Sequence, residues 1–131
     1  MITTTDIANI MYGVCRAFEM PVYQDGNIPK GKPDAEGRVV IHAKEQSYDR
    51  TWKKCFVEVN LITPDTRNGH ADLIRLNELE RMAHKILKGT GRSDGNIYSF
   101  KLSSTTVMKR TEMDAHMVNA RVLFRVINTM E

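Results

Sequence analysis

The chain has 131 residues, of which 41% are hydrophobic and 27% charged, with a formal net charge of +3. That length suits one domain with a real core, and the composition is that of a globular protein and not of a disordered one. No apolar run approaches the ~20 residues of a membrane-spanning helix, and MITTTDIANIMYG lacks the basic-then-apolar layout of a signal peptide, which argues against export. The mild basic excess is compatible with a nucleic-acid partner without arguing for one.

Thr3 followed by Asp6 reads as a helix start, with a hydroxyl cap and an acid in the first turn. Ile7, Ile10, Met11, Val14 and Phe18 then recur at three-and-four spacing, predicting an amphipathic helix over residues 4 to 18 that Met20-Pro21 ends. Val22 and Tyr23 open a short extended piece. Residues 24 to 37 follow as a Pro/Gly-rich connection without periodicity, expected to form a long hairpin-like arm that is mobile or grips a neighbour through Pro29 and Pro33.

Arg38 to Ala43 reads as a strand, and a polar link over 44 to 50 leads to a second, antiparallel one. From Lys53 to Thr63 the chain alternates, with Cys55, Val57, Val59 and Leu61 on one side and Lys54, Phe56, Glu58, Asn60 and Ile62 on the other. Pro64 stops this strand because it has no N–H to give a ladder. Beyond Gly69 the period becomes helical: Leu73, Leu76, Leu79, Met82 or Ala83, and Ile86 with Leu87 form a stripe. Residues 88 to 96, KGTGRSDGN, read as a glycine-rich basic loop that lacks the spacing of a phosphate-binding loop. Ile97 to Val107 alternates again. His116 to Asn128 gives the clearest alternation, with Val118, Ala120, Val122, Phe124 and Val126 set against Asn119, Arg121, Leu123, Arg125 and Ile127.

These elements predict a single α+β domain over residues 1 to 131: a four- to five-stranded, mostly antiparallel sheet with two helices packed on one face, and the arm at 24 to 37. The opposite face presents Phe56, Ile62, Leu123 and Ile127 among Glu58, Arg121 and Arg125. An apolar face of that kind is expected to be an association surface.

Chemistry is hard to find. Asp72, Glu78 and Glu80 do not share a helix face, so they suit surface pairing better than a divalent-metal site, and His42, His70, His84 and His116 are scattered. Cys15 and Cys55 fall on apolar sides and are expected to be buried free thiols with no base beside them. Neither a nucleophile elbow nor a dinucleotide fingerprint is present. No catalytic residue, metal or cofactor is therefore expected. Arg121 and Arg125 share a strand face, which leaves backbone-tracking contact with nucleic acid open.

The order of elements resembles the tail-completion, or tail-terminator, proteins of long-tailed bacteriophages and prophages. The likeness is carried by a helix ending near Val22-Tyr23, a Pro/Gly-rich arm and the VVI strand from Val39 to Ile41. After a link with a Trp come FVEVNLIT (Phe56 to Thr63), the ADLIRLNELERMAHKIL helix and the closing RVLFRV strand (Arg121 to Val126). The resemblance implies a structural protein that forms a ring, usually a hexamer, ending the tail tube and joining it to the head connector. It would be made in the bacterial cytoplasm and reside at the virion head–tail junction. It also implies lumen-facing cations that touch DNA without reading sequence, for which Lys30, Lys32, Lys88 and Arg92 are the candidates. The competing class is a small nucleic-acid-processing enzyme using Asp72, Glu78 or His70 with a divalent metal, or a nucleic-acid-binding module.

Overall fold

The computed structural model describes residues 1–48 and 52–127. Helix α1 (Thr4–Cys15) starts on a reciprocal cap: the Thr3 hydroxyl accepts from the Asp6 N–H at 3.0 Å, and the Asp6 carboxylate accepts from the Thr3 N–H at 2.9 Å. A 3₁₀ turn, Arg16–Phe18, completes the expected helical stretch. Helix α2 (Leu73–Ile86) is capped by the Asp72 side chain, which accepts from the Arg75 N–H at 3.1 Å.

The strands are β1 (Val22–Gln24), β2 (Arg38–Tyr48), β3 (Trp52–Pro64), β4 (Lys88–Ser93), β5 (Asn96–Arg110) and β6 (Ala115–Ile127). They form one six-stranded sheet in the order β1-β2-β3-β6-β5-β4, antiparallel throughout except for the parallel β1–β2 pair. The α+β class is as expected, but the sheet has six strands, not four or five. Asn128, expected at the end of the last strand, lies outside the described residues.

The extra strand is β4, read from sequence as a loop. Two of its inward positions are glycines and the third is Ser93, so it has no apolar alternation to detect. The place of the glycine side chains is taken by aromatic rings of the partner strand: a Cβ at Gly91 would lie 2.4 Å from Tyr98 Oη, and one at Gly89 3.0 Å from Phe100 Cζ. Those rings stack on Phe124, with centroids 5.2 and 6.1 Å away. Cross-strand aromatics covering strand glycines restore the packing that the glycines give up. Asp94 and Gly95 (φ 50° and 77°) make the two-residue turn between β4 and β5.

Both helices lie on the same face. Ile7, Met11 and Cys15 of α1 and Leu76, Leu79 and Ala83 of α2 join the inward residues of β2, β3 and β6 in one buried cluster. Each of the Ile, Met and Leu side chains among them contributes about 1.5–3 kcal/mol on burial. Leu73, read as part of that stripe, is 71% exposed and its neighbour Ile74 84% exposed, so the first turn of α2 reaches past the core.

The arm packs against the sheet. A parallel neighbour cannot be joined by a tight turn, so residues 25–37 are the crossover from β1 to β2, and they fold back over the reverse face. Ile28 packs on a second cluster made by Val40, Ile62, Ala115 and Met117. The buried Arg38 guanidinium donates to Pro29 O at 3.1 Å and Lys32 O at 2.8 Å. Lys32 Nζ then pairs with Asp114 at 2.6 Å.

Gly37 closes the crossover at φ 83°, and a Cβ there would lie 2.2 Å from the Ile62 carbonyl oxygen. Gly31 has a similar φ of 94° with open space around it. Gly37→Ala is therefore expected to destabilise by more than about 3 kcal/mol, combining left-handed strain with a backbone clash, whereas Gly31→Ala carries only the roughly 1–2 kcal/mol of strain. Urea unfolding of the two variants checks this; equal midpoints would contradict the arm's packing.

Candidate interfaces

The reverse face of the sheet divides into two halves. Around the ends of β2 and β3 and the start of β6 it is covered by the chain itself: Ile62 is 1% exposed under the arm, and Pro33 is buried. Those two residues, expected to be available to a neighbouring subunit, are used up by intrachain packing. Pro29 stays exposed.

The other half is open, and it is cationic where an apolar surface was expected. Arg121 lies over the Phe56 ring, 3.9 Å from its centroid, and Arg125 lies 5.2 Å from that of Trp52. Phe56 and Leu123, opposite each other in the β3–β6 register, are half-buried, while Ile127 is 45% exposed. The apolar residues are thus separated by charge and do not form a continuous patch. Glu58 sits opposite Arg121 and pairs with Lys44 at 3.4 Å.

Apolar side chains are also exposed at one edge of the sheet. Strand β4 pairs with β5 only as far as Lys101, and among the described residues no strand pairs with the remainder of that edge of β5. On that stretch Val107, 49% exposed, faces the helix side opposite Val118, and Met108, 44% exposed, faces the reverse side opposite Met117. Thr105 donates to Glu80 at 2.5 Å, and Lys88 pairs with Lys101, so passing back along α2 follows β5 toward Val107. The exposed Leu73 and Ile74 therefore lie toward the same end. Sequence reading missed this grouping because Leu73 keeps the spacing of a buried stripe and Val107 that of an ordinary strand.

The expected lumen cations are dispersed. Lys30 is exposed on the arm, and Lys32 is bound to Asp114. That pair raises the lysine and lowers the carboxyl from their ordinary 10.5 and 3.8. Its contribution is present above about pH 4, fading as pH falls through the lowered carboxyl value, and lasts until pH rises through the raised lysine value; in so exposed a pair it is small. Lys88 and Arg92 lie on β4, where alternation directs them to the open face, away from the inward Gly89 and Gly91.

Three of the four residues that could have served a metal have another task. Asp72 caps α2, Glu78 pairs with Arg75, Glu80 accepts from Thr105, and His70 is exposed. Among the described residues no group of three or more His, Cys, Asp or Glu could hold a metal ion. His116 Nδ1 meets Asp65 at 2.7 Å, tying the start of β6 to the chain leaving β3. No helix among the described residues is long and apolar enough to cross a membrane.

No family model and no curated protein matches this chain. One solved structure, which carries no functional name, superposes with a TM-score of 0.51 at 12% identity, covering 98% of this chain and 96% of that one. The likeness shows the fold alone.

Both cysteines are free and buried. Burial pushes the Cys15 thiol up to about 12 and Cys55 up to about 11, the latter in spite of its contact with Lys44 O at 3.0 Å. Neither should react with an aromatic disulfide reagent at pH 8 in the folded protein, and both should react in denaturant. Rapid modification of either in the native state would contradict the packing described.

Proposed function

We propose that this chain is a phage or prophage virion assembly protein of the tail-terminator class, forming a ring at the head–tail junction that ends the tail tube and joins it to the head. The order of helices and strands supports this reading. The observation that carries it is the open edge of β5 with Val107 and Met108 exposed and Leu73 and Ile74 toward the same end. A ring of identical copies is built from heterologous contacts, in which one surface meets a different surface of the next copy until rotation closes the set. Beyond its short pairing with β1, β2 also leaves a stretch without a partner strand among the described residues. One end of the sheet can therefore meet the other end of the next copy. The tail-tube and head-connector proteins are the partners above and below the ring, and a hexamer is the expected size.

Light scattering coupled to size exclusion tests the proposal. The native protein should run as a closed oligomer, and a Val107→Lys/Ile74→Lys variant, changed only at exposed positions, should run as a folded monomer. A native protein that stays monomeric at high concentration and fails to bind tail-tube protein would overturn it.

A further inference from the structure

The charges of this chain are segregated in a way its net charge conceals. Strands β3 to β6 together hold nine lysines and arginines and one carboxylate, Glu58. Nine cations less one anion give these strands +8, so the rest of the chain, at +3 overall, is left with −5. On the open half of the reverse face the register places Lys54 directly opposite Arg125, and Lys88 directly opposite Lys101. Like charges facing each other across a ladder destabilise a sheet, and neither pair has a carboxylate beside it on these strands. A local rule broken without a compensating ion pair among the described residues points to a ligand that compensates it.

From this we infer that the open half of the reverse face binds the phosphate backbone of duplex DNA. Between the two like-charged pairs lies a depression of about 480 Å³, lined by the apolar Phe100 and Leu123 together with Lys88, Thr90, Ser99, Lys101 and Arg125. It offers cations and hydroxyls in the mixture that phosphate oxygens accept from. Arg125 Nε is buried there without a hydrogen-bond partner. Lysine-rich surface is poor material for the core of a protein–protein contact, whereas nucleic-acid interfaces are strongly positive and polar. The aromatic rings do not serve as base-stacking platforms, since Arg121 covers Phe56 and Arg125 lies over Trp52. A site with cations but without free ring faces favours a duplex over a single strand, and charge over sequence. This inference rests on the charge pattern and holds for a monomer as well as for a ring.

The test is binding of the full chain to a short labelled duplex of mixed sequence, titrated at several salt concentrations, with oligomer mass measured in the same samples. Lys54→Gln/Lys101→Gln removes one charge from each like-charged pair at exposed positions. It should weaken binding about tenfold and lower the salt slope by roughly two, while Lys85→Gln on the helical side leaves both unchanged. Two unrelated duplex sequences should bind alike. Equal loss in the Lys85 variant, tighter binding of single-stranded DNA, or stronger binding of poly-glutamate than of DNA would overturn the assignment; the last would point to an acidic protein partner.

Discussion

The structure depends on the pairing of β3 with β6, an unbroken antiparallel register from Trp52 opposite Ile127 to Pro64 opposite Ala115. Because side chains alternate with a period of two, that register decides the destination of every residue on the two strands. It sends Val57, Val59, Val122 and Phe124 under the helices, where all are buried. It sends Lys54, Phe56, Arg121 and Arg125 to the reverse side. A slip of one position would exchange the dry face with the charged one, so burial of the first set enforces display of the second.

The crossover from β1 is the other constraint. Since β1 runs parallel to β2, the connecting chain has to traverse the sheet, and Arg38 holds it there by its bonds to Pro29 O and Lys32 O. This covers Ile62 and confines the open part of the reverse face to its cationic half. The helices close one side of the sheet, the crossover closes part of the other, and what remains bare is charged. Apolar side chains are also left exposed at the edge of β5. The fold thus separates two kinds of surface in space, an apolar edge and a cationic face.

Much of this was legible in the sequence, and the exceptions have definite causes. The helices and the strands β3, β5 and β6 announce themselves by period, and Thr3, Asp6 and Pro64 mark boundaries close to where they fall. Strand β4 was not legible because its inward residues are Gly89, Gly91 and Ser93; the signal lay in Tyr98 and Phe100 of the partner strand and in the Asp94-Gly95 turn. Ile62 was correctly assigned to the reverse side, but its cover, Ile28, lies 34 positions away across a segment without periodicity. Residues 24 to 37 look like a free arm because nothing local says that β1 and β2 are parallel. The basic face was hidden because acids elsewhere cancel it, and only the register shows Lys54 facing Arg125.

A protein that keeps like charges opposed on an open sheet gives up some stability, and that cost can be measured. In Lys101→Glu the Lys88–Lys101 repulsion becomes an attraction, so thermal unfolding at an ionic strength of about 10 mM, where screening is weak, should occur at a temperature roughly 1–3 °C higher than for the native protein. The difference should shrink at about 0.5 M salt. A lower unfolding temperature, or no change at low salt, would contradict the account, because it would mean that the cations facing one another on the reverse side are not held there at the fold's expense.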